Sequence, residues 1–249
     1  MDFALAAVAL APGLALGSFL NVVAARMPVR RSVSQGRSAC MHCGAQIAWY
    51  DNVPLLSYAL LRGRCRACRA PIGWLYPAVE LASALLVAGS VLRFGLSGDA
   101  AVAAFVSLCL VAISAADIRY RLVPNRIVLP AAAVTIVAQT LLHPSVEWVA
   151  GGLGGALFLF VAALAYPKGM GMGDVKLMLL IGFAVGRAVP VALMLGMVAA
   201  LVPSAVLFAR HGTAARKMGI PFAPFLALGG VVAIFWGDAL LQAYLDLTT

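Results

Sequence analysis

Two sets of residues in this chain of 249 amino acids have types and spacing suited to chemistry. The first is Gly169-Met170-Gly171-Met172-Gly173-Asp174-Val175-Lys176, set between two long apolar runs. Glycines tolerate backbone conformations that other residues avoid and let a second chain approach closely. A carboxylate at the mouth of an apolar span is costly to hold there and is a functional candidate by default. The alternative for Asp174 is an N-cap of the helix that follows. The order is not that of a phosphate-binding G-x-x-x-x-G-K-[ST] loop, and no βαβ pattern surrounds it. The second set is a pair of knuckles, Cys40-Met41-His42-Cys43 and Cys65-Arg66-Ala67-Cys68. Two C-x-x-C pairs read as a four-thiolate zinc site, with a gap slightly longer than the usual ~15–20 residues. Zinc takes four such thiolates tetrahedrally in closed structural sites.

Two further acids stand out. Asp117 follows an apolar run, at the C-terminal end of a helix, where a negative charge is unfavourable. Capping does not explain it there, although Arg119 and Arg121 are near enough in sequence to neutralise it. Glu80 lies a turn inside the run that opens Tyr76-Pro77-Ala78-Val79-Glu80-Leu81. Either the helix dipole stabilises it or it faces inward toward a polar pocket.

The elements that must position these groups are transmembrane helices. The chain is 63% hydrophobic and only 11% charged, against roughly 25% charged in a soluble domain. Eight apolar runs of spanning character are expected: about Phe3–Ala25, Tyr76–Phe94, Ala100–Ala116, Ile127–Leu142, Trp148–Tyr166, Leu177–Val185, Ala188–Ala209 and Phe222–Tyr244. The sixth is short and must borrow flanking residues to reach ~17. The fold class is therefore an all-α polytopic membrane protein of about eight helices, with one small loop domain. The expected division is 1–25, first helix; 26–75, tetracysteine zinc loop; 76–249, multi-helix membrane domain.

Net charge of +9 points to membrane topology rather than to nucleic acid. With the N-terminus outside, 16 of the 18 basic residues fall on the inner side, and only Arg93 and Arg187 fall outside. The loop domain is then cytoplasmic. Asp2 and the lack of an early Lys or Arg argue against a cleaved signal peptide. A reducing cytoplasm disfavours disulfides between the four cysteines, and no thioredoxin-like pattern supports a redox motif. Eight arginines in 26–75 help stabilise thiolates. His42 reads as a surface residue of its knuckle and Cys109 as a small apolar residue of the third span. Asn21 reads as an interhelical hydrogen-bonding residue. Residues 47–57 mix aromatic and polar groups, and suit either the core of a metal-stapled domain or a surface on lipid headgroups. Arg210 to Lys217 form a basic turn suited to anionic lipid. No long-period repeat is evident.

The same topology brings Asp117, ending an inward span, and Asp174, beginning an outward one, to the same depth. Two carboxylates sharing a site do not both ionise easily. Such a pair activates water in aspartic proteases.

Taken together these motifs resemble the prepilin peptidase family, bifunctional membrane enzymes that process type IV pilins and type II secretion pseudopilins. The resemblance rests on Gly17-Ser18-Phe19-Leu20-Asn21, both cysteine pairs, Asn52-Val53-Pro54-Leu55-Leu56-Ser57 and Arg62-Gly63-Arg64-Cys65-Arg66-Ala67-Cys68. It continues through Tyr76 to Leu81, Asp117 with Pro124, Gly171 to Leu177, and Ile220-Pro221-Phe222-Ala223-Pro224-Phe225. It implies that Asp117 and Asp174 are the catalytic aspartates of a G-x-G-D membrane protease in the bacterial inner membrane. It also implies that the cysteine loop serves N-methylation of the new amino terminus from S-adenosylmethionine. Lys168, Asn125 and Ala223 stand where acidic, Asp and Gly residues are frequent in that family.

On this reading the substrate is a prepilin, a basic leader followed by a hydrophobic helix in the bilayer. Gly171 and Gly173, with Lys176 near them, line the place where an extended segment is cut. The candidate place for the methyl donor is against the inner-face loop, near Trp49 to Asn52 or Glu80. An ion- or proton-coupled transporter with a zinc-stapled loop is the competing class, since it too places carboxylates beside broken helices. A zinc-stapled scaffold needs the cysteines but not the two aspartates.

Overall fold

The computed structural model describes residues 2–29, 32–33, 38–166, 170–212 and 219–248. Lys168, Gly169, Arg30, Arg31, Arg37, Arg216 and Lys217 lie outside the described residues. Among the described residues the chain is helical, with only two isolated antiparallel bridges. The helices are α1 (Asp2–Arg26), α2 (Leu56–Leu60), α3 (Leu75–Phe94), α4 (Gly98–Tyr120), α5 (Asn125–Leu142), α6 (Glu147–Ala165), α7 (Met172–Val185), α8 (Val189–His211) and α9 (Ala223–Thr248). Single 3₁₀ turns stand at Trp49–Asn52 and Gly186–Ala188.

Seven stretches are long and apolar enough to cross a membrane. The sixth of them, Met172–His211, contains both of the expected sixth and seventh runs. They are parted at Gly186, whose φ of +52° turns the chain. The helix α7 on the near side of that turn is 14 residues long.

The chain divides into two compact units, Met1–Ala100 and Ala101–Thr249. In the first, α1 packs along α3 through small residues. A Cβ on Gly13 would stand 2.7 Å from the Ala84 Cα, and one on Gly17 would stand 2.7 Å from the Glu80 Cα. In a bilayer, where lipid is as apolar as leucine, such close backbone approach is what holds helices together. Asn21 donates to the Tyr76 carbonyl at 3.0 Å across the same contact, as its position in an apolar helix suggested.

In the second unit α7 lies among α5, α6 and α9, and α8 packs on α9. Side chains of Leu177, Met178, Leu180 and Ile181 are fully buried there. Gly151 and Gly182 abut backbone to backbone where α6 meets α7. The Trp148 indole donates to the His143 carbonyl at 2.7 Å, and Gly186 packs on Trp148. The opposite ends, near Asp117, Asn125, Asp174 and Ala223, therefore share one side of this unit.

Candidate functional site

Asp117 occupies the last turn of α4 and is 6% exposed. Its Oδ2 accepts the amide N–H of Ala223, the first residue of α9, at 3.2 Å. A helix start leaves its first N–H groups without intrahelical partners, and Asp117 takes one of them. Its poor position at the end of α4 is thus offset by a good one at the start of α9. Arg121, one turn on, adds a positive charge near enough to act on it. Arg121 itself takes a φ of +52° as α4 ends. Pro124 then starts α5, in keeping with the break expected at Pro124-Asn125.

Asp174 lies in the first turn of α7 and donates its own N–H to the Gly171 carbonyl at 3.1 Å. Gly171, with extended φ and ψ of −88° and 149°, occupies the N-cap position that Asp174 was weighed for. The Asp174 carboxylate is close enough to Asp117 for mutual charge repulsion. The two acids, 57 residues apart in sequence, are brought together at one end of the second unit.

The two glycines of the loop differ. Gly171 is exposed, and a Cβ there would meet only Asp174 Oδ2 and the Gly173 nitrogen, each at 3.8 Å. Gly173 is closed off by Val123, whose Cβ would stand 2.8 Å from an added Cβ. Gly173 therefore fits the α4–α5 turn against the start of α7, and so sets the spacing between the aspartates. Lys176 donates to Asn125 Oδ1 at 3.0 Å, tying α7 to the first residue of α5. Val123 and Ala223 were not singled out as positioning residues from sequence. The prolines at 124, 221 and 224 were the available signal, because they fix where the neighbouring chain turns.

The four cysteines form a second site, in the first unit. Their sulfurs all lie within 4.8 Å of one another, with Cys40 Sγ and Cys68 Sγ 3.8 Å apart. Tetrahedral zinc with Zn–S of about 2.3 Å needs sulfurs about 3.8 Å apart, so the cluster fits that ion. The two knuckles are a local repeat of ten residues, too short to count as a long-period one. Bridges Ala39–Gln46 and Arg64–Pro71 close them equivalently. Cys40 N–H donates to the Ala45 carbonyl at 2.9 Å, and Cys65 N–H to Ala70 at 2.8 Å. Gly44 and Arg69 turn them with φ of +70° and +60°. Backbone N–H groups of Cys43 and His42 bring the Cys40 thiol down to about 6. At Cys68 the Ala70 N–H favours the thiolate, but burial and bonds to the other sulfurs outweigh it and push the thiol up to about 11.

Arg66, between the second pair of ligands, grips Asp51 with two bonds of 2.8 and 2.6 Å. Its guanidinium also lies 5.5 Å from the Tyr50 ring centroid. The hydrogen bonds from Arg66 hold the Asp51 carboxyl below its usual range. This bidentate pair fastens the Trp49–Asn52 turn to the knuckle.

Glu80 is engaged rather than free. Its Oε2 accepts the Leu55 N–H at 2.9 Å. Leu55 has a φ of +57°, so this carboxylate holds a strained turn. Beside it lies a cleft of about 290 Å³ lined by Ala15, Ser18, Phe19, Val22, Asn52 and Pro54.

With this geometry in place, comparison with known proteins is informative. The family model for the bacterial peptidase A24 N-terminal domain matches residues 12–94, and that for the type IV leader peptidase family matches residues 104–209. A Bacillus subtilis protein named prepilin leader peptidase/N-methyltransferase is 36% identical over 249 residues, covering 94% of this chain and 96% of the relative. A relative of the same name from Stutzerimonas stutzeri is 35% identical, covering 96% of this chain and 93% of its own. One from Pseudomonas aeruginosa is 33% identical, covering 94% and 91%. No solved structure matches.

Proposed function

The chain belongs to the type IV leader peptidase family, and on that premise we propose that Asp117 and Asp174 are the pair that cuts the prepilin. The chain is a peptidase with methyltransferase activity, and prepilin processing is its function. The transporter alternative is not supported, since the relatives are named for peptidase and methyltransferase work.

The observation that carries the assignment is the convergence of two acids from α4 and α7 beside an open glycine. One carboxylate removes a proton from water as the water attacks the scissile carbonyl. The other, protonated, donates to the carbonyl oxygen. The roles then reverse as the amide nitrogen takes up a proton and leaves. Helical peptide is a poor protease substrate, so the segment to be cut is extended beside Gly171, while Gly173 keeps the frame. Nonhelical backbone is tolerable at this depth where it lines a wet cavity. Lys176 acts through Asn125 by fixing helix ends. The leader is cut on the cytoplasmic side of a bacterial inner membrane, with the N-terminus outside and the cysteine loop inside. Type IV pilins and type II pseudopilins are the substrate class. Cleavage of a prepilin by purified protein, compared with Asp117→Asn and Asp174→Asn, tests the assignment.

Cys40, Cys43, Cys65 and Cys68 hold one zinc ion, which supplies a rigid staple to a loop too small to build its own core. S-adenosylmethionine supplies the methyl group. The cleft beside Glu80 is lined by Ala15, Ser18, Phe19, Val22, Asn52 and Pro54, and Glu80, which accepts the Leu55 N–H, serves this donor by positioning the turn.

A further inference from the structure

The turn that Glu80 holds lies deep along the spanning helices. At about 1.5 Å per residue, Val22 and Ser18 sit ~6 and ~12 Å inside the Arg26 end of α1. On the same rise, Glu80 sits ~7 Å inside the Leu75 end of α3. Asn52 and Pro54 line one cleft with Ala15, Ser18, Phe19 and Val22 of α1, and the Leu55 N–H reaches Glu80 on α3. Residues 52–61 therefore turn back beside both helices at the level of the bilayer.

The segment is built for a medium poor in water. It carries no charged side chain, whereas Asp51 precedes it and Arg62, Arg64 and Arg66 follow it. An uncharged run of about ten residues is too short to span and suits a re-entrant segment. An unmet backbone group in hydrocarbon costs several kcal/mol, and the donors around the Leu55 turn are met. Leu55 donates to Glu80, Leu56 to the Pro54 carbonyl at 2.6 Å, Ser57 to Val53 at 3.1 Å, and Ala59 to Leu55 at 2.9 Å. The Ser57 hydroxyl donates to the Tyr50 carbonyl at 2.9 Å. Yet Leu56 and Leu60, one turn apart on α2, are 56% and 74% exposed. Phe19 on α1 and Leu81 on α3, both on spanning helices, are likewise exposed.

We propose that residues 52–61 are a re-entrant segment seated in the lipid of the bilayer, with Leu56 and Leu60 against acyl chains. Glu80 is its positioning residue, since it meets the N–H of the strained Leu55 turn. The Asp51–Arg66 pair closes the segment where it returns to water. This rests on the reading of α1 and α3 as membrane spans and is independent of the aspartate assignment.

The test uses the full chain in phospholipid vesicles in which a fraction of the lipid carries a photoactivatable diazirine within one acyl chain. After irradiation, labelled peptides are mapped by mass spectrometry. Residues 52–61 should be labelled to an extent comparable with the ends of α1 and α3, and residues 38–47 should not. Loss of that label in the Leu56→Ser, Leu60→Ser double variant, with metal content retained, is the second expected result. Labelled spans beside an unlabelled 52–61 overturn the proposal. So does chain-to-chain cross-linking through Leu60 in place of lipid labelling, which would make the face a contact between copies.

Discussion

Asp117 accepts the Ala223 amide at 3.2 Å across 106 residues of sequence, so the end of α4 and the start of α9 form a single junction. Asparagine at 117 still offers an oxygen to that amide but carries no charge. Asp117→Asn should therefore fold normally while cleavage falls by about 10²–10⁴, the usual worth of positioned acid–base catalysis. Asp174→Asn should do the same. Turnover of a prepilin in detergent, with thermal unfolding as the folding control, checks both. Near-normal turnover in either variant removes that residue from the pair.

Gly173→Ala should act differently. An added Cβ would crowd Val123 at 2.8 Å, and overpacking of this kind costs about 1–3 kcal/mol. Both stability and kcat should fall. Adding Val123→Ala should recover much of each by returning the space. Gly171→Ala meets only ordinary contacts at 3.8 Å, so it should leave stability intact and raise KM. A melting temperature and a KM-against-kcat split separate the two glycines.

The thiolate cluster predicts about one zinc per chain by elemental analysis, lost on acidification because protons compete for the ligands. The sign follows from Cys40, whose thiol is lowered to about 6. Stability from its thiolate is fully present above the ordinary thiol range and is lost as pH falls through about 6. Cys43→Ser should lower zinc content at neutral pH, and a purified reduced chain without metal would refute the assignment.

Glu80 offers a discriminating pair. Glu80→Gln keeps an oxygen for the Leu55 N–H and should be mild in stability and in methylation. Glu80→Leu strands that N–H, at about 1–3 kcal/mol, and should raise hydrogen exchange across residues 52–61. Loss of methylation in Glu80→Gln with exchange unchanged would instead make its charge a ligand for the donor.

The spans were legible because apolar runs are long and charges cluster at their ends, and every expected helix is present within a few residues of its bounds. The cysteine cluster was legible too, since C-x-x-C places two thiols on one tight turn. The match of α4 to α9 through Ala223 was not, because no local pattern says which helix start an acid will cap. The Leu55 turn was equally hidden. Its φ of +57° falls on a residue that rarely adopts it, and the partner that stabilises it comes from another helix. The knuckle repeat was in plain view in residues 38–47 and 63–72, but ten-residue similarity at a period of 25 escapes a search for longer units.

The fourteen residues of α7 measure about 21 Å at 1.5 Å each, whereas a hydrocarbon layer is about 30 Å thick. The helix is enclosed by α5, α6 and α9, so these neighbours cover whatever hydrocarbon thickness α7 itself does not cross. The depth at which Asp174 meets water is thus set by the protein packed around a short helix.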